Sequence, residues 1–207
     1  MTKSVGRERV RKHIQRTLGP ILKEWEERAD GSPLPFAIAQ LDEQPASEAT
    51  CFITMGLSDT ELRFPSGNPT RQELVFACHR AYAGENVQGL LAAVALEQTV
   101  SCRAFARGDV EGPAGFMFPS TNLQALYASL PAYFADAFAK DAHTSPPTHF
   151  MWMIPITAGE ASFVSREGWS ALEDQLVKQD PDLLDLNRRE IKFPALRLTR
   201  GIDGQNR

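Results

Sequence analysis

The run Phe150 to Ile156, FMWMIPI, does most to narrow what this chain can fold into. It is apolar apart from Pro155, and far shorter than the roughly 20 residues needed to cross a bilayer. A short, continuous apolar run reads as a strand buried on both faces, so its sheet needs cover on both sides. Pro155 has no N–H for a ladder and is expected near the strand's end. Beyond it, Trp169, Leu172 and Leu176 recur at i, i+3 and i+7, the stripe of a helix opening near Gly168, with Glu173, Asp174 and Lys178 left to face water. A buried strand feeding a short amphipathic helix is therefore expected at the centre of the core. Glu160, the carboxylate nearest the strand, reads as a cap or partner of the following helix.

A chain of 207 residues is long enough for one domain with a self-sufficient core. With 43% hydrophobic and 23% charged residues, its composition is that of an ordinary globular protein. A net charge of -4 argues against a nucleic-acid binder, which needs a clustered basic face. The basic cluster Arg7, Arg9, Arg11, Lys12 and Arg16 is interleaved with Val10 and Ile14 and reads as the solvated face of a helix. The N-terminus lacks the apolar run of roughly 7–15 residues that marks a secretory signal, so a cytoplasmic protein with no membrane span is expected. Cys51, Cys78 and Cys102 are odd in number and show no C-x-x-C spacing, which favours buried, reduced thiols over a disulfide framework or a zinc cluster.

Read in order, the stripe Val10, Ile14, Leu18, Ile21, Leu22 and Trp25 predicts two helices between about Arg7 and Arg28, with Pro20 in the first turn of the second. Phe36, Ile38 and Leu41 suggest the first strand. Phe52 to Leu57 and Glu73 to Cys78 suggest an antiparallel meander around the turn-rich Pro65 to Pro69. Val87, Leu90, Leu91, Val94 and Ala95 form a helix expected to end near Ala106, and Phe116 to Phe118 should pack back on the sheet. Leu123, Leu126, Leu130, Phe134 and Phe138 keep helical spacing, although short apolar runs are ambiguous by periodicity. Ile191, Phe193, Leu196 and Leu198 suggest one more strand.

No catalytic motif is spelled out. There is no G-x-S-x-G elbow, no phosphate-cradling glycine loop and no pair of histidines at metal-ligand spacing, so no cofactor, metal or catalytic residue is assigned. His13 and His143 lie in polar segments. Cys78 and His79 are adjacent on a strand and point to opposite faces, so they do not form a thiolate and base pair by adjacency, and His79 reads as a strand-end surface residue.

Four stretches in order resemble the suppressor of fused domain over about residues 49–189. They are FITMGLSD (Phe52 to Asp59), QELVFAC (Gln72 to Cys78), the helix and turn ending in Gly108-Asp109, and the block from the I-P-I strand end through Glu160, Gly168, Ala171 and Leu172 to Asp185-Leu186-Asn187-Arg188. The resemblance implies a strand rather than a helix for Leu123 to Leu130. It also implies an α/β (α+β) fold, a mainly antiparallel, twisted sheet flanked by helices in a single domain, like the family's N-terminal lobe. Members of the family are non-enzymatic protein binders. The animal protein sequesters Gli transcription factors, whose short segment adds as a strand between two lobes, and bacterial single-domain members are inferred to be immunity proteins that neutralise toxins. The second lobe has no counterpart here. Of the groove residues only Asp109 falls on a match, so the resemblance implies a protein-binding role for Asp109 toward a protein partner such as a toxin. The alternative from another class is a hydrolase using a Ser or His centre.

Overall fold

The computed structural model describes residues 5–119 and 121–193. In chain order the elements are α1 (Val5–Thr17), β1 (Lys23–Glu27), β2 (Pro33–Asp42), β3 (Ala49–Met55), β4 (Leu62–Arg63), β5 (Pro69–His79), α2 (Val87–Ser101), β6 (Val110–Glu111), β7 (Leu123–Ser129), β8 (Lys140–Asp141), β9 (Thr148–Thr157), α3 (Ala158–Glu167) and α4 (Trp169–Gln179). Short 3-10 turns follow β3 at Leu57–Asp59 and β5 at Arg80–Tyr82.

The sheet runs β1-β2-β3-β5-β9-β7-β6, with β4 added on β5 and β8 on β9. Its ladders are antiparallel apart from β5 with β9. The apolar run thus lies inside β9, between β5 and β7, and its residues divide between two cores as a pleat requires. Phe150, Trp152, Ile154 and Ile156 join one core with Val10 and Ile14 of α1, Phe163 of α3, and Leu172 and Leu176 of α4. Met151 and Met153 join the other with Val87, Leu91, Val94 and Ala95 of α2 and with Phe118. Helices therefore cover both faces of a central sheet, as a strand apolar on both sides demands. The segment around Phe118 does pack back on the sheet, with the ring 6.0 Å from Phe76.

The second N-terminal helix is not formed. After α1, Gly19 takes a left-handed backbone (φ 108) and the chain returns as the edge strand β1, with Lys23 opposite Gln40 and Trp25 opposite Ile38. The apolar stripe misled because Leu22 is exposed, whereas Trp25 packs on Phe52 at 6.0 Å as a strand residue. The basic face of α1 is also not simply solvated. Arg7 pairs with Glu26, Arg11 with Glu24, and Arg9 with the buried Asp141, so β1's outward carboxylates tie the helix to the sheet.

Helix α2 ends at Ser101 rather than Ala106, because residues 102–105 have better partners elsewhere. Cys102 takes a left-handed backbone (φ 52), Arg63 N–H donates to the Cys102 carbonyl (2.9 Å), and Ala104 N–H donates to the Arg63 carbonyl (2.8 Å). Leu123–Ser129 is a strand, as the resemblance implied and periodicity did not; tertiary pairing to β9 decides it. Residues 191–193 lie outside any strand, and Leu196 and Leu198 fall outside the described residues. All three cysteines are free; Cys51 and Cys78 are buried as expected, but Cys102, at the helix end, is exposed. Burial pushes the Cys78 thiol up to about 12.

Candidate functional site

The turn carrying Asp109 is held in place from four directions. From β5, the buried Gln72 receives Phe105 N–H on its Oε1 (3.0 Å) and donates from Nε2 to the Phe105 carbonyl (2.7 Å). From α2, Gln98 donates to Gln72 Oε1 and to the Arg103 carbonyl, each at 3.1 Å. From β7, the Ala128 carbonyl receives Gly108 N–H and Ala128 N–H donates to the Asp109 carbonyl, both at 2.8 Å. From α4, Trp169 closes on Gly108 so tightly that a Cβ there would lie 2.4 Å from the Trp169 Cβ, and Gly108 is in the left-handed region (φ 96). Space and backbone conformation both require glycine at position 108.

Asp109 is used within this turn. Its Oδ2 accepts from Ala106 N–H at 3.0 Å and from the Arg103 guanidinium at 3.1 Å, so the side chain reaches back to close the turn that precedes it. Both bonds fall on one oxygen, and 25% of the side chain stays exposed. Directly after it comes β6, which pairs with β7 through Val110 and Tyr127 and through Glu111 and Leu126. β6 is the last strand of the sheet, so its outer backbone groups face no further strand among the described residues. A cleft between Gly108–Pro113 and the α3 residues Ala161 to Ser165 borders this edge.

Arg107 connects the turn to α4. Its guanidinium makes a two-armed pair with Glu173, with Nε 2.9 Å from Oε1, and lies 4.6 Å from the Trp169 ring centroid. The Glu173 Oε1 also accepts the Tyr127 hydroxyl at 2.8 Å. Burial, reinforced by that bond to a carboxylate, pushes the Tyr127 phenol well above its usual range. Two side chains of α4 therefore depart from the sequence reading. Glu173 turns inward to collect Tyr127 and Arg107, while Trp169 is 41% exposed and lies against the turn rather than the central strand. Periodicity located the helix but not the long-range guanidinium that reorders its first turn.

Glu160 does serve a helix cap, but of α3, which follows β9 directly where the sequence reading had no helix before Gly168. Thr157 Oγ1 accepts Glu160 N–H (3.1 Å) and Glu160 Oε2 accepts Thr157 N–H (2.9 Å), a reciprocal capping box. The same carboxylate receives both arms of the buried Arg188, 2.6 Å to Oε1 and 2.5 Å to Oε2, and Arg188 also donates to the Pro155 carbonyl (3.1 Å). The closing Asp-Leu-Asn-Arg is thereby pinned to the end of β9.

The histidines are spread apart. His13 is buried, contrary to its polar sequence surroundings, with its ring 5.1 Å from Phe150 and Nε2 3.0 Å from the Phe138 carbonyl oxygen. His79 lies 2.6 Å from Asp182 and His143 lies 2.7 Å from Asp141. Among the described residues no hydroxyl or thiol is hydrogen-bonded to a histidine ring, and no group of three or more His, Cys, Asp or Glu is placed to hold a metal ion. No helix among them is long and apolar enough to cross a membrane.

Residues 32–189 match the suppressor of fused protein family, which takes in the pinned Asp109 turn, the β6 edge and the Glu160–Arg188 lock. The chain belongs to the suppressor of fused family. The chain is 23% identical over 176 residues to the immunity protein YqcF of Bacillus subtilis, covering 83% of this chain and 88% of that protein. A suppressor of fused homologue of Neisseria gonorrhoeae superposes with a TM-score of 0.70 at 19% identity, over 92% of this chain and 98% of that one. The Drosophila suppressor of fused superposes at 0.63 and 13% identity, over 89% of this chain and 50% of its own length. A structure of the Sufu-Fu complex superposes at 0.67 and 13% identity, over 90% of this chain and 91% of the matched chain. At these identities the superpositions establish the fold, with the family's sheet and helices in the same arrangement.

Proposed function

We propose that this protein is a non-enzymatic binder that captures a protein partner at the Asp109 turn and the neighbouring β6 edge, and that the partner is a toxin which it neutralises in the cytoplasm. One observation carries the reading: a turn held by β5, α2, β7 and α4 presents a half-engaged carboxylate beside an unpaired strand edge. An extended segment of a partner can add to such an edge through main-chain hydrogen bonds, and a fixed carboxylate next to it can take a basic group. Rigid presentation matters because binding then pays less for ordering the site. Membership of the suppressor of fused family and the likeness to an immunity protein support both the binding role and the kind of partner.

The test is growth rescue on co-expression with a toxin recovered as a binding partner by pull-down with the wild-type chain, with wild type compared to Asp109→Asn. Asparagine keeps an oxygen for Ala106 N–H and loses only the charge. The variant should melt within a degree or two of wild type and bind the toxin more weakly by about 1–3 kcal/mol, the scale of a hydrogen bond to a charged group. A lowered melting temperature with intact affinity would leave Asp109 as a turn cap alone. Absence of both rescue and complex with the wild type would refute the immunity role.

A further inference from the structure

On the face covered by α4, a cleft of about 400 Å³ opens beside the β7–β9 ladder, with Trp152 and Ile154 of β9 at its base and Leu130, Tyr133 and Val177 among its lining. Those last three side chains are 48%, 44% and 83% exposed, so three large apolar side chains left in water are gathered around one depression. The Tyr133 ring leans over Trp152 with centroids 4.8 Å apart. Trp152 itself is only 1% exposed, yet its buried indole N–H meets no acceptor. An unpaired buried donor is costly, and an incoming oxygen would relieve it.

The cleft also has a sign. Of its charged lining residues, Arg107 and Glu173 neutralise each other, which leaves Asp180. The Asp180 carboxylate accepts no hydrogen bond or ion pair among the described residues, and it stands at the C-terminal end of α4, where the helix carbonyls add negative potential. Asp182 lies close by and, like Asp180, disfavours ionisation of Tyr133, whose phenol is raised first by burial and then by these two carboxylates.

We infer that this cleft receives a tyrosine-like anchor, an apolar ring bearing an oxygen, from a cationic segment of the protein partner. The ring would fill the space between Tyr133 and Val177 and displace the half-exposed Tyr133 ring that leans over Trp152, so that its oxygen can accept from the otherwise buried indole N–H, while a flanking lysine or arginine would pair with Asp180. The inference rests on the protein-binding reading above and adds the chemistry of what is bound. The cleft adjoins the Asp109 turn through Arg107, so one partner can engage both.

The test is an NMR titration of the full chain, labelled with nitrogen-15, with the synthetic peptide acetyl-Gly-Lys-Tyr-Arg-Gly-amide and an acidic twin in which Glu and Asp replace the basic residues. The Trp152 indole resonance should move saturably with the cationic peptide and at least fivefold more weakly with the acidic twin. Val177→Lys should weaken the cationic peptide at least fivefold and Asp180→Asn about threefold, with the Trp25 indole resonance serving as the check that each variant is folded. A stationary Trp152 resonance, equal affinity for the two peptides, or unchanged affinity in Val177→Lys would each overturn the inference. The readout uses no toxin. A silent Trp152 therefore removes the cleft without touching growth rescue, and a failed rescue leaves the titration result standing.

Discussion

Glu73 shows at the residue scale how a sequence motif can be visible while its cause is not. The carboxylate is fully buried on β5 and receives Thr54 Oγ1–H (2.6 Å), Gly56 N–H (2.9 Å), Ser58 N–H (3.1 Å) and Ser58 Oγ–H (2.7 Å). FITMGLSD is thus largely a cradle for a side chain that lies fifteen or more residues further on, and no local pattern announces that partner. Burial outweighs these four donors and raises the Glu73 carboxyl to about 7. A carboxyl whose pKa is higher folded than unfolded holds more protons in the native state. Stability should therefore fall as pH rises from about 4.5 to 7, by on the order of 3 kcal/mol at most. Glu73→Gln can keep three donors on its oxygen and donate to Thr54, so urea unfolding should show that pH slope reduced, with the variant gaining on wild type between pH 5 and 8. Parallel profiles for the two proteins would contradict the assignment. Trp169 and Leu172, adjacent in the same stripe, make a second contrast. Leu172 is fully buried, whereas Trp169 is 41% exposed against Gly108 and Arg107. Leu172→Ala should cost about 2–5 kcal/mol and Trp169→Ala about 1–2 kcal/mol, since only part of its ring leaves water. A larger loss for Trp169 in the same urea series would place that ring in the core after all.

At the scale of elements, what could be read depended on whether the deciding contact was local. The β9 run and the helix opening at Gly168 follow from residues within a few positions of one another, and both are present; α3 between them was not read, although its Thr157–Glu160 cap is local. β1 could not be read in this way, because its strand character comes from pairing with β2 and from Arg7 and Arg11 holding Glu26 and Glu24. The end of α2 was likewise set from outside, by Arg63 and Gln72. The block closing the family match has a physical reason as well. Arg188, 3% exposed at its side chain, is the counter-ion that lets Glu160 be buried in the first turn of α3. Removing one partner of such a pair leaves an uncompensated charge, so Arg188→Met should cost about 3–5 kcal/mol. The double variant with Glu160→Gln should recover part of that. Equal losses in the single and double variants, measured by chemical denaturation, would show that the pair is not coupled.

For the whole molecule, the sheet ends in two different edges. Neither β1 nor β6 has a strand beyond it among the described residues; the Glu24 and Glu26 side chains of β1 are tied to α1 by ion pairs, whereas the short β6 follows a turn fixed by four neighbouring elements. The Gly108-Asp109 turn was legible in the sequence through the resemblance, but the contacts that hold it, Gln72 at the Phe105 backbone and Arg107 on Glu173, join residues 33 and 66 positions apart. The proposal that this edge is the binding surface is most directly tested by amide hydrogen exchange on the chain alone and saturated with its protein partner. Slowed exchange confined to Gly108 through Glu111 and the adjoining cleft, with Lys23–Glu27 unchanged, is the expected result. Protection at β1, or none at Gly108 through Glu111 in a saturated complex, would contradict it.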